Sequence, residues 1–173
     1  MTDPAHYREL ETLRHGRRVE IRALRGDDRA ELLAAFGRVG AQSRWRRFFT
    51  PKRRLTEAEV AFFMDVDFVN HVALVAASED SGQPLIIGGG RYIVAGPRLA
   101  ELAFVVVDQF QGQGVGAALL RHLVLIARRA GLERLTAEVL ADNAAMLSVF
   151  DRSGVPITKR RCSDVITVVL QLV

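Results

Sequence analysis

The sequence predicts an α+β fold, a mixed and mostly antiparallel sheet with flanking helices. Three observations carry this reading. First, the apolar runs at 72–77, 85–94 and 102–107 are joined by short turns, so three hairpin-linked strands precede a glycine loop. Second, residues 100–131, AELAFVVVDQFQGQGVGAALLRHLVLIARRAG, read as strand, glycine loop and helix, and 134–140 (RLTAEVL) follows as a strand parallel to the one before the loop. Third, 157–162 and 165–170 pair as a closing hairpin around Ser163 and Asp164.

Composition sets the bounds. A chain of 173 residues with 49% hydrophobic and 25% charged residues suits one folded domain. We divide it into an N-terminal arm, 1–16, and a single domain, 17–173. The apolar runs stop short of the roughly 20 residues of a membrane helix, and charges fill the first 25 positions where a secretory core would lie. The expectation is a cytoplasmic protein with no membrane or nucleic-acid partner. All but Lys52 and Lys159 of its 24 basic residues are arginine, yet no nucleic-acid motif accompanies them. The one cysteine, Cys162, fits a reducing compartment and reads as a buried structural thiol. No metal-ligand spacing occurs.

From the N-terminus, residues 1–16 are polar and of mixed charge, expected as a mobile arm or a short helix on the domain surface. Arg18–Leu24 alternates as a first strand, and Asp27 or Asp28 caps a helix whose apolar stripe runs through Ala30, Leu33, Ala34 and Phe36 to Val39. Ser43–Arg54 (SRWRRFFTPKRR) interleaves aromatic residues with arginines until Pro51 breaks it. Its aromatics reach the core while its arginines are solvated, or the segment walls an acceptor site and offers cations to an acidic partner; the two are compatible. Thr56 and Glu59 form a capping box for a helix over 57–64. After the strand at 72–77, residues 79–83 make a turn, and Gly88–Gly90 within the next strand mark a bulge or a thinned strand. The run 102–107 reads as a strand buried on both faces.

The glycine loop and the helix after it aim unpaired backbone N–H groups at whatever stands in front, an arrangement that binds phosphates. Gly112, Gly114 and Ala117 fit G-x-G-x-x-A, whereas Gln111, Gly114 and Gly116 fit Q-x-x-G-x-G. A dinucleotide unit places its first glycine directly after the strand and opens a long parallel series, and neither holds here. Further on, Asn143 caps a helix over 144–152 that Gly154 ends.

The second spacing resembles the coenzyme A loop of the GNAT superfamily of N-acetyltransferases. Within it, LRHGRRVEIRALRGDD (13–28), SRWRRFFTPKRRLTEAEV (43–60), VALVA (72–76), residues 100–120 and LADNAAML (140–147) resemble the catalytic domain of bacterial Pat-type protein lysine acetyltransferases, which silence acyl-coenzyme A synthetases. The resemblance covers most of the chain. It implies the GNAT acyl-CoA N-acyltransferase fold, with two parallel strands that diverge around the cosubstrate acetyl-coenzyme A (acetyl-CoA). The synthetase-like or cyclic-nucleotide regions that often accompany such a domain are not in these 173 residues, so control by those modules is expected to be absent.

The resemblance assigns the cofactor contacts to Gln111, Gly112, Gln113, Gly114, Val115, Gly116 and Ala117 in the loop, to Asn143, and to backbone amides near Val106 or Val107 for the oxyanion. It assigns the general base to Glu101, whose carboxylate is expected to be partly desolvated; Glu138 is the competitor and reads as solvent-facing. Many superfamily members carry a tyrosine acid seven residues after the asparagine, where this chain has Phe150, leaving water or Ser148 as donor. The expected reaction is direct acetyl transfer to a lysine of a protein such as an acyl-CoA synthetase. A small-amine acetyltransferase and a non-catalytic coenzyme A-binding module are the alternatives.

Overall fold

The computed structural model describes residues 3–79 and 82–173. Among them, eight strands form one sheet in the order β1-β2-β3-β4-β5-β6-β8-β7. They are β1 (Arg8–Thr12), β2 (Arg18–Ala23), β3 (His71–Ser78), β4 (Leu85–Gly96), β5 (Leu99–Val106), β6 (Arg134–Leu140), β7 (Ile157–Cys162) and β8 (Val165–Gln171). Every neighbouring pair is antiparallel except β5 and β6. Five α-helices flank the sheet: α1 (Arg29–Gly37), α2 (Ala41–Phe48), α3 (Glu57–Met64), α4 (Val115–Arg129) and α5 (Ala144–Asp151). No helix of the described residues is long and apolar enough to cross a membrane.

Helix α4 organises the core. Val115, Ala118, Leu119, Leu120, Leu123, Ile126 and Ala127 repeat at helical spacing and are all buried, while Arg128 and Arg129 occupy the last turn, where the helix dipole favours cations. Gly131, at φ 78°, follows its end. The helix can lie close to the sheet because Gly88 and Gly90 carry no side chains. A Cβ on Gly90 would stand 2.9 Å from Leu123 Cδ1, and one on Gly88 3.0 Å from Val115 Cγ1. The triplet is thus a thinned strand, and a register shift opposite Ala76 and Ala77 adds a bulge.

The structure corrects several expectations. The N-terminal segment is no free arm: β1 pairs with β2 over five positions, Tyr7 and Leu13 are buried, and Tyr7 and Glu11 bond His122 of α4 from opposite sides of its ring. An outer strand whose own residues face solvent has no apolar alternation to betray it. Asp28 sits at the N-cap of α1 but does not cap it; its carboxylate accepts from the Arg25 amide and Arg22 instead. The run 102–107 is not buried on both faces throughout: Leu102, Phe104 and Val107 are covered, whereas Ala103, Val105 and Val106 are half-buried and look toward cavities. Cys162 is exposed, because it ends the outer strand β7. The turn at 79–83 includes residues outside those described.

Candidate active site

The parallel pair β5 and β6 is joined at three positions, Leu99 with Arg134, Ala100 with Leu135 and Glu101 with Thr136. Beyond Glu101 the two strands run on without pairing, β5 to Val106 and β6 to Leu140. The gap is a cleft of about 450 Å³ between β5, β6, α5 and the loop that starts α4. One edge of β5 faces it with unspent backbone. The Val107 amide donates to Ile87 O of β4, 2.9 Å, and successive amides of a strand point to opposite edges, so the Val106 N–H points toward β6.

The loop at the cleft's mouth is held from three directions. Gln111 Nε2 donates to Val106 O at 3.0 Å and to Ser43 Oγ at 3.1 Å, fastening the loop to β5 and α2. Gln113 Oε1 accepts from Arg17 Nε at 2.8 Å, and that guanidinium lies over the Phe110 ring. Asp108 accepts from the Gly40 amide at 3.0 Å. Gly112 and Gly114 have φ of 75° and 92°, a region open to glycine at no steric cost, and they turn the chain sharply into α4. As a result the amides of residues 112–117 donate to no acceptor among the described residues. Six consecutive unspent donors at the head of a fifteen-residue helix form an anion cradle.

Most predicted contacts converge here. Val106, Gln111, Gly112, Gly114, Val115, Gly116, Ala117 and Asn143 line the cleft. Asn143 is buried and caps α5 through Oδ1, which accepts from the Met146 amide at 3.3 Å. Two predicted residues do not line the cleft. Val107 is buried with its amide already bonded to Ile87 O, so it cannot supply the oxyanion contact; the Gln113 side chain turns to Arg17, and only its amide belongs to the cradle.

Glu101 occupies the last rung shared by β5 and β6, the vertex from which the strands diverge. Its carboxylate is exposed rather than partly desolvated, and it lines neither the cleft nor the smaller cavity beside it. By strand alternation its side chain shares a face with Ala103 and Val105, which line both. Glu138, on β6, is exposed and does line the cleft. Phe150 is buried against Phe104, ring centroids 5.7 Å apart, and lines the cleft, as does Ser148 two residues earlier on α5. Arg14, Arg46 and Arg152 also reach it from three distant parts of the chain. No local pattern announces these arginines, since only the folded sheet brings them together.

Comparison with known proteins agrees with this geometry. The Acetyltransferase (GNAT) family matches residues 41–155. Acetyltransferase PA5475 of Pseudomonas aeruginosa is 33% identical over 138 residues, 79% of this chain and 74% of that protein. Acetyltransferase Pat of Mycolicibacterium smegmatis is 34% identical over 110 residues, 62% of this chain but 32% of that longer protein. The crystal structure of the GNAT domain of Streptomyces lividans PAT superposes with a TM-score of 0.86 at 32% identity, covering 95% of this chain and 96% of that one. The divergent parallel strands, the amide cradle between them and these relatives together place the chain in the GNAT family of acetyltransferases, as a relative of the Pat-type enzymes.

Proposed function

We propose that this chain transfers the acetyl group of acetyl-CoA to a lysine side chain of a protein such as an acyl-CoA synthetase, with Glu101 as general base. The observation that carries the reading is the run of six unspent amides, 112–117, at the mouth of a cleft between diverging strands. Such a run suits the pyrophosphate of coenzyme A, and Arg14, Arg46 and Arg152 add positive charge to the cleft. Similarity to Pat supports lysine as the acceptor.

Acetyl-CoA supplies an activated thioester. A lysine amine, pKa about 10.4, must shed a proton before it can attack. In this reading Glu101, at the strand vertex, takes it directly or through water, and its exposure leaves the carboxylate accessible. The Val106 N–H faces the cleft to stabilise developing negative charge on the carbonyl oxygen. The departing thiolate, a weak base with a pKa near 8.5, needs no strong acid, so Phe150 in place of a hydroxyl is tolerable. Ser148 supplies the hydroxyl that reaches the cleft.

The test is incubation of the protein with isotopically labelled acetyl-CoA and a bacterial cell extract, followed by mass spectrometry. Labelled Nε-acetyl-lysine on a small set of proteins is expected. Label confined to free amines would replace the protein acceptor with a small molecule, and label on nothing would remove transfer altogether.

A further inference from the structure

Between α1, α2 and α3 on one side and β4 and β5 on the other lies a second cavity of about 90 Å³, lined largely by apolar groups such as Leu32, Phe36, Leu55 and Phe63. It shares Arg47, Ala103, Phe104 and Val105 with the cleft, so the two adjoin. Three guanidiniums line it. Arg44 is spent on backbone, donating to the carbonyls of Phe36, Lys52 and Arg53. Arg47 and Arg91 are different.

Both stand over the Phe63 ring, with guanidinium carbons 5.9 Å and 4.6 Å from its centroid. Arg47 also lies over Phe48, at 4.9 Å, and its guanidinium makes no hydrogen bond to any described residue. Arg91 donates through Nη1 to Phe63 O at 3.1 Å and to His71 Nε2 at 2.7 Å. Arginine only donates, so that His71 nitrogen is the acceptor and Nδ1–H donates to Asp65 O at 3.1 Å, which keeps the imidazole neutral. Nε and Nη2 of Arg91 have no partner among the described residues. Nor does a carboxylate pair with either arginine there: Glu31 is held by Arg38, Glu57 by Arg29, Glu59 by Lys52, and Asp67 by the amides of Val69, Asn70 and His71.

Two cations crowded into an apolar cavity without a counter-charge are costly to the folded chain. Burial and the charge of Arg47 push Arg91 down to about 9, and burial pushes Arg47 down as well. The planar forks match a carboxylate, which would relieve both. Arg91 lies opposite Ala103 and diagonal to Glu101 on the same face of the sheet, so a group bound here stands beside the proposed base. A cavity of about 90 Å³ compares with roughly 30 Å³ for one water in the liquid, room for a carboxylate on a short stem.

We propose that this cavity is a carboxylate subsite for the acceptor, in which Arg47 and Arg91 grip an acidic group carried next to the amine that is acetylated. The proposal rests on the acetyl-transfer reading above and narrows its substrate class to lysines with an acidic neighbour.

Two measurements test it. The first compares lysine peptides that differ only in a Glu or a Gln beside the lysine. The wild-type chain should favour the Glu peptide in kcat/KM by about tenfold or more, the worth of a charge-assisted bond, and Arg91→Gln should bring the ratio close to one. Because Arg91 also braces Phe63 and His71, Arg47→Gln, which removes no hydrogen bond, is the second variant, and the ratio should collapse there too. A wild-type ratio near one, a ratio that survives both substitutions, or a preference for succinyl- over acetyl-coenzyme A with the Gln peptide would overturn the proposal, the last by giving the carboxylate to the acyl group. The second measurement needs no turnover: propionate should produce saturable shifts of the Arg47 and Arg91 Nε–H resonances, lost in Arg91→Gln for the remaining arginine. Shifts that never saturate would sink the subsite even if acetyl transfer proceeds, whereas saturable shifts with no transfer to any peptide would sink the transferase reading and leave the subsite intact.

Discussion

Asp28 receives Arg22 through two bonds of 2.8 Å and the Arg25 amide at 2.7 Å, and Arg22 in turn faces Glu20 at 3.5 Å. Burial alone would raise the Asp28 carboxyl, but the bonds from Arg22 and Arg25 outweigh it and hold the group below the usual carboxylate range. A depressed folded value contributes stability above the unfolded value, about 3.9, and loses it as pH falls through the folded one. Asp28→Asn should therefore cost about 3 kcal/mol at neutral pH, the low end for a broken buried pair because Glu20 still faces Arg22. In urea titrations the gap to wild type should close as pH drops below that unfolded value; a gap constant down to strong acid would mean the pair contributes through packing alone. At the site, Glu101→Gln should lower kcat more than tenfold with the KM for acetyl-CoA little changed, since the carboxylate lies outside the cleft. An unchanged kcat, with chemistry shown to limit turnover, would remove Glu101 as base. Residues of this kind divide by how local their cue is. The loop glycines announce themselves through spacing along a few positions. The exposure of Glu101, the spent amide of Val107 and the arginines at the cleft depend on strands distant in sequence, which no short window displays.

Among the elements, β4 and α4 are coupled through absent side chains. Gly88 lies against Val115, the first residue of α4 and part of the amide cradle, and against Val105 O; Gly90 lies one pleat further on, against Leu123 and Phe104. Adding a methyl at either position overpacks the contact and should destabilise the fold by about 1–3 kcal/mol. The functional consequences should differ. Gly88→Ala pushes on the helix start and should raise the KM for acetyl-CoA severalfold, whereas Gly90→Ala meets the flexible tip of Leu123 and should leave that KM nearer to wild type. Equal KM values in the two variants would show that the cradle does not depend on how closely α4 seats. The sequence displays the glycine triplet but not its partner, since the helix that needs the space begins some two dozen positions later. The strand β1 was hidden for a related reason: its own residues are mostly solvated, and its anchors, Tyr7 and Leu13, flank it.

Across the whole molecule, the sheet is two pieces joined by a short seam. Strands β1–β5 and the trio β6, β8 and β7 meet at three paired positions, supplemented by α4 and by the Phe104–Phe150 contact over the cleft. The order of elements was legible because hairpins, a crossover helix and a closing pair leave few ways to assemble a sheet. The divergence was legible only through the family resemblance, because apolar residues of β5 and β6 read alike whether their edges pair with each other or with a ligand. This architecture has a thermodynamic consequence. A cosubstrate that lies in the cleft, with the free edge of β5 and the 112–117 amides on one side and β6 and α5 on the other, contacts both pieces and binds the folded state alone. At a concentration a hundred times its Kd, acetyl-CoA should add about 2.7 kcal/mol of stability. For a chain of this size that corresponds to a rise in Tm of roughly 5–10 °C. Hydrogen exchange should localise the effect: protection should grow at the amides of Val106 and of 112–117, which lack acceptors in the free chain, and change little in β1–β3. A comparable rise in Tm with protection spread over β1–β3 and none at 112–117 would place the cosubstrate elsewhere on the molecule and separate its binding from the cleft.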